Sequence, residues 1–168
     1  NTYSKRTKKN SFAISNDEIE KFQFSKTPIY LSDLVDRIND LVDRSLVKKL
    51  PTRAVSRWLI ETELIEEFYS EESEKSIKLP TKLGKEIGFI SQKRISSNGN
   101  EYFVILCSEA AQRFVLDNIF CVIDFIKETT KEQIAKVGSK WKKDEEEQLV
   151  QLYKEGKTIR EIAIRLHR

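Results

Sequence analysis

Along this chain the apolar positions change rhythm several times, and each change marks an element. In "SNDEIEKF", Ser15 with Glu18 three residues on forms a capping box that predicts a short helix, broken at Pro28. In "LSDLVDRINDLVDRSL", Leu34, Ile38, Leu41 and Val42 recur at helical spacing behind Ser32, the expected cap. After "VKKLP", Thr52 is the expected cap of a further helix, predicted over 52–63. Its inward face is Ala54, Val55, Trp58, Leu59 and Thr62, and its outward face is Arg53, Ser56, Arg57 and Ile60. The rhythm then shortens. "LIEEFYS" reads as a strand with "SIKLP" as partner, and "TKLGKEIG" as a short capped helix from Thr81. "FISQKRI" and "EYFVILC" flank Asn98-Gly99, a strong hairpin signal because both residues tolerate positive φ.

The longest helical pattern follows, "SEAAQRFVLDNIFCVIDFIKE". Glu109, Arg113, Asp117 and Asp124 leave only a narrow polar stripe beside a wide apolar face. A helix this apolar needs cover on more than one side. Its first half is expected in the core and its second half at a partner, which makes helix 108–126 a candidate homodimer interface. Residues 127–140 are polar and read as a linker, with one helical turn at "KEQIAKV". The organisation expected is therefore a basic arm (1–11), a domain (12–126), the linker (127–140) and a closing unit (141–168). The fold class expected is α+β, mainly α.

Composition narrows the classes. Hydrophobic residues make up 39% and charged residues 34% of 168, and no apolar run approaches the ~20 residues that span a bilayer. The opening "NTYSKRTKKN" lacks the apolar core of a signal peptide. A bacterial cytoplasmic or nucleoid location is expected. The chain starts at Asn1 and has no Met, so it reads as a piece of a longer protein. Cys107, Cys121 and a single His167 are too few for a structural zinc site. Asp33, Asp36, Asp40 and Asp43 share a helix stripe, but Arg37 and Arg44 sit among them, so a solvated face is preferred to a metal site. No phosphate-binding glycine loop, no HExxH and no nucleophile–base pair is recognisable. The expectation is no catalytic residue, no metal and no cofactor.

Net charge is +3, unevenly spread. Residues 61–74 carry seven glutamates and no base, whereas 75–94 carry Lys75, Lys78, Lys82, Lys85, Lys93 and Arg94 against Glu86 alone. A positive surface suits phosphate backbones. The first outward turn of helix 52–63 offers two guanidinium groups and a hydroxyl. Arg pairs bidentately with guanine or phosphate, and Ser suits phosphate oxygens.

Two helices followed by a basic hairpin is the order of a winged helix-turn-helix, with the second helix entering the major groove. Through "AVSRWLIETELIEE", "LPTKLGKEIGFI" and "EAAQRFVLDNI", segment 28–118 resembles winged-helix modules of phage and mobile-element regulators. The resemblance implies Arg53, Ser56 and Arg57 at the groove and Lys93 and Arg94 on a wing. Only the hairpin around "QKRISSNGN" suits that wing, because the acid-rich loop "YSEESEKS" would have to face away from DNA.

The closing stretch "WKKDEEEQLVQLYKEGKTIREIAIRLHR" resembles the start of a Myb/SANT-like helix-turn-helix. The matching residues are Trp141, Glu145, Glu146, Leu149, Leu152, Tyr153, Gly156, Ile159, Ile162, Ala163 and Leu166. Gly156 would end a first helix, and Thr158 with Glu161 would cap a second. A third helix does the reading in that family, and the chain stops before it. Lys142, Lys143, Lys157 and Arg160 could still touch phosphates. Together these readings predict a double-stranded DNA-binding transcriptional regulator of a bacterium, phage or mobile element. The alternative is a protein-interaction or accessory module of a DNA-processing complex. The DNA-binding reading predicts that Arg53, Arg57, Lys93 and Arg94 converge on one face, whereas the interaction module predicts that they scatter, with a large apolar patch exposed instead.

Overall fold

A computed structural model describes residues 9–70, 75–136, 141–159, 162, 165 and 166. It is a mixed α+β chain that divides into two compact units, Asn1–Ile123 and Asp124–Arg168.

The first unit opens with α1 (Asn16–Ile19), where Ser15 and Glu18 form the expected capping box. A two-residue strand, β1 (Ile29–Tyr30), leads directly into α2 (Leu31–Asn39). The cap position of α2 is Tyr30 and not Ser32, and no side chain caps it. Leu31, Leu34, Val35 and Ile38 form its buried stripe. Helix α3 (Thr52–Glu61) has Pro51, not Thr52, at its cap position, so Thr52 is its first helical residue and no side chain caps it; the fixed φ of Pro51 suits the turn into a helix. Val55, Trp58 and Leu59 fill its inner face.

At the end of α3 the Glu63 N–H donates to the Ile60 carbonyl and the Leu64 N–H to the Leu59 carbonyl, a Schellman stop. The left-handed position is Glu63, at φ 58°. The chain then forms the antiparallel hairpin β2 (Ile65–Ser70) and β3 (Lys75–Pro80). Short helix α4 (Lys82–Ile87) is capped by Thr81, whose hydroxyl accepts the Gly84 N–H and donates to the Glu63 carbonyl. A Cβ on Gly84 would stand 2.0 Å from the Leu64 carbonyl oxygen, so glycine is what lets α4 lie against that corner.

Strands β4 (Phe89–Ile95) and β5 (Glu101–Cys107) form the second antiparallel hairpin. Ser96 N–H donates to the Asn100 carbonyl, and Gly99 takes φ 78°, so a three-residue loop turns the chain. Strand β1 pairs with the far end of β5, Ile29 with Cys107 and Tyr30 with Leu106, giving the sheet order β1-β5-β4. The sheet's core face carries Phe89, Ile105 and Cys107.

The single long helix expected over 108–128 is two helices, α5 (Glu109–Asp117) and α6 (Ile119–Lys136). The break is at Asn118, whose Nδ2 donates to the Phe114 carbonyl at 2.8 Å, a side-chain bond that competes with the helix ladder. Helix α6 runs on to Lys136, through residues expected as linker and into the stretch where one helical turn was expected. Thr129 and Thr130 donate back to the carbonyls of Phe125 and Ile126 there. Phe114 stacks on Trp58 at 6.0 Å and meets Phe89 edge-on at 6.5 Å, joining α5, α3 and the sheet. Ala111, Val115, Leu116, Ile119, Val122 and Ile123 are buried within the single chain, and of the apolar residues from 108 to 126 Ala110, Phe120 and Cys121 are exposed.

The second unit contains the later part of α6, then α7 (Lys143–Lys154) and a following helical turn. Gly156, at φ 75°, closes α7 as a Schellman residue, with Gly156 donating to Tyr153 and Lys157 to Leu152. Leu149, Leu152, Ile162 and Leu166 form its small core. Trp141, Tyr153 and Ile159, three of the residues that carry the Myb/SANT-like resemblance, are exposed. Tyr153 follows Leu152 directly, about 100° further round α7, and so falls off the buried stripe. Arg160, Glu161 and Ala163 lie outside the described residues. Among those residues, no helix is long and apolar enough to cross a membrane, and no group of three or more His, Cys, Asp or Glu could hold a metal ion.

Candidate nucleic-acid interface

The start of α3 is held by a buried amide. Asn39, fully buried at the end of α2, accepts the Leu50 N–H and donates to the Leu50 and Val35 carbonyls. The connection 40–51 is thereby pinned one residue before the α3 cap. A second tie holds the middle of that connection, where Asn10 exchanges backbone bonds with Leu46 and Lys48. These bonds fix where Thr52 and Arg53 emerge.

The N-termini of α2 and α3 open onto one groove of about 310 Å³. It is lined by Tyr30, Leu31 and Ser32 from α2, Thr52, Arg53 and Ser56 from α3, Lys78 from β3, and Phe103, Val104 and Ile105 from β5. Neither helix has a side-chain cap, so their first N–H groups are not taken by side-chain acceptors. Arg53 and Lys78 add positive charge to the partial positive charge of the helix ends.

The outward face expected for α3 is only partly outward. Arg53 is exposed and Arg57 half-buried, and among the described residues neither has an ion-pair partner. Ser56, expected to face solvent, is 7% exposed. The cause is tertiary. Lys78 on β3 reaches across and donates to Ser56 Oγ at 3.2 Å. Lys78 also lies 3.8 Å from Glu67, its cross-strand neighbour, which accepts a hydrogen bond from Ser76 as well. The acid-rich hairpin therefore turns the face bearing Glu67 and Lys78 toward α3 rather than away from it. Residues 71–74 at its tip lie outside the described residues.

On the second hairpin, Lys93 and Arg94 are adjacent in β4 and so point to opposite faces. Lys93 pairs with Glu101 at 2.6 Å, both side chains about half exposed. Such a surface pair contributes at most about 1 kcal/mol and exchanges readily for a phosphate. Arg94 lies over the Tyr30 ring at 5.4 Å. The four arginines and lysines singled out in the sequence thus do not share one face. Arg53 opens on the groove, Arg57 sits beside it along α3, and the wing carries one cation on each side.

In the second unit, Lys142 and Lys143 are exposed and Lys157 is half-buried. Asp144, Glu145 and Glu146 follow Lys143 directly in the first turn of α7, where they suit the helix N-terminus and lower the local positive charge. Arg160 is outside the described residues. Lys78, Tyr30 and Phe103 were missed in the sequence. The groove exists only where β3 and β5 come together with α2 and α3 across long sequence separations, and no local pattern signals that.

The chain matches no protein-family model, no curated protein and no solved structure.

Proposed function

We infer that this protein binds double-stranded DNA as a winged helix and regulates transcription. The supporting observation is the sheet order β1-β5-β4 with α2 and α3 between β1 and β4. A strand, a helix pair and a hairpin closing into one sheet is the arrangement of a winged helix, with β2, β3 and α4 inserted after α3. In this reading α3 presents its first turn to the major groove, led by Arg53 and flanked by Arg57. The β4–β5 hairpin is the wing. A hairpin laid edge-on into a groove meets a phosphate wall on either side, which accommodates Lys93 and Arg94 on opposite faces. Ser56 does not contact DNA directly in this arrangement, and Lys78 takes its place at the surface.

Fluorescence anisotropy of a labelled duplex across a salt series tests the reading. Binding that weakens steeply with salt is expected, because Lys and Arg contacts to phosphate release counterions. Absence of binding at low salt contradicts it. Two observations favour a second reading, an interaction module, and the first is that Arg53, Arg57, Lys93 and Arg94 do not share one face, as that reading expects. The second is that the hairpin carrying Glu66 and Glu67 lies against α3 and exposes Phe68 and Tyr69, which suits a protein partner better than a phosphate backbone.

A further inference from the structure

Two hairpins of this chain each expose a neighbouring pair of aromatic side chains. On β2 these are Phe68 at 44% and Tyr69 at 53%. On β5 they are Tyr102 at 43% and Phe103 at 38%. Their settings differ in charge. Phe68 stands opposite Ile77 and Tyr69 opposite Ser76, with Glu66 and Glu67 preceding them. Tyr102 stands opposite Arg94, and Phe103 opposite Lys93. Each face of the β4–β5 hairpin therefore presents one exposed ring beside one cation.

Among the described residues, neither the Tyr102 nor the Phe103 ring stacks on another ring or lies under a guanidinium. Phe103 also walls the groove that holds Arg53, Thr52 and Lys78. A ring beside cations, at the mouth of a cleft lined with further cations, suits a flat aromatic group attached to phosphate. Nucleobases stack on such rings without regard to sequence, and unpaired bases are free to do so along the whole strand whereas paired bases inside a duplex are not.

We propose that the β4–β5 hairpin is a stacking site for unpaired bases, so that the preferred target is a duplex bordered by single-stranded DNA. This rests on the DNA-binding reading and deepens it. An unpaired base stacks on Phe103, its phosphate turns to Arg53 and Lys78 in the groove, and Tyr102 serves the opposite face of the hairpin. The acidic β2–β3 hairpin, whose rings are as exposed, is excluded by its charge.

The test compares binding of the full chain to a blunt duplex, the same duplex with a single-stranded tail, and the tail alone. Wild type is compared with Phe103→Leu and with Tyr102→Ala, folding being checked by circular dichroism. Phe103→Leu keeps the apolar bulk and removes only the π face. The tailed duplex is expected to bind about tenfold tighter than the blunt one, the equivalent of one stacked base. Both variants should bring the tailed-to-blunt affinity ratio down to about one, whatever they do to blunt-duplex affinity itself. Equal affinity of wild type for tailed and blunt duplexes overturns the stacking site and leaves duplex binding standing. A tail preference unchanged in both variants overturns its placement on this hairpin. Failure to bind any of the three DNAs overturns the DNA-binding reading itself, and the stacking site with it.

Discussion

Asn39 holds both backbone groups of Leu50: its Oδ1 accepts the Leu50 N–H at 2.7 Å and its Nδ2 donates to the Leu50 carbonyl at 3.0 Å. Both residues are fully buried, so water cannot replace either bond. Leaving a buried backbone group unpaired costs about 1–3 kcal/mol. Asn39→Ala orphans two and should lower unfolding free energy by about 3 kcal/mol in urea titration. Asn39→Asp keeps an acceptor, loses the donor and buries a charge, so it should also destabilise, most strongly at neutral pH. A change below about 0.5 kcal/mol for both variants would remove Asn39 as the anchor of the connection into α3.

The positive φ of Glu63 makes a different prediction. A left-handed conformation costs a side-chain-bearing residue about 1–2 kcal/mol, and glycine escapes that cost but loses more chain entropy on folding. Glu63→Gly should therefore stabilise the fold by about 0.5–1 kcal/mol, seen as a higher urea midpoint at constant slope. Gly156 already occupies the same position at the end of α7. The Thr81 hydroxyl donates to the carbonyl of residue 63, a bond the substitution keeps.

The two thiols should separate cleanly by reactivity. Cys107 is buried in β5, and burial pushes its thiol up from 9.0 to about 12. Cys121 is exposed on α6. With a thiol reagent at mild alkaline pH, one equivalent should react at once and the second only on unfolding. The raised value also fixes a sign. Below about 9 both folded and unfolded forms of Cys107 are protonated and stability is unaffected. As pH rises from 9.0 toward about 12 the unfolded form ionises first, and this group lowers stability. Fast labelling of both thiols in the native protein would show that β5 is open where it is drawn as core.

Much of the fold was legible locally. Ser15 with Glu18, Thr81 with Gly84, and the turn at Asn98-Gly99 all carry their signals within a few residues, and each element formed where those signals lie. All but one of the misses share a cause in distance. Ser56 reads as outward on the helical wheel of α3 because nothing nearby reveals that Lys78 returns to cover it. Strand β1 is two residues long and exists only through its partners at Leu106 and Cys107. The break at Asn118 had a local signal, a lone Asn in an apolar run, whose side chain can bond the carbonyl four residues back. The candidate site divides along the same line. Arg53 and the wing cations were readable, whereas Lys78, Tyr30 and Phe103 reach the groove through tertiary contacts alone.

The central claim is that DNA meets the start of α3, and one comparison tests it most directly. Duplex affinity is measured by anisotropy at low salt for wild type, for Arg53→Ala/Arg57→Ala, and for the charge-matched control Lys21→Ala/Lys26→Ala. The control lysines flank Ser25 on a segment that Gln112 of α5 holds by both its backbone groups, away in sequence from α3 and the wing. The arginine pair should weaken binding about tenfold or more, as phosphate or base contacts of about 1–3 kcal/mol imply, while the control stays within about twofold of wild type. Equal losses in both variants, or no loss in either, would contradict the placement of DNA at α3.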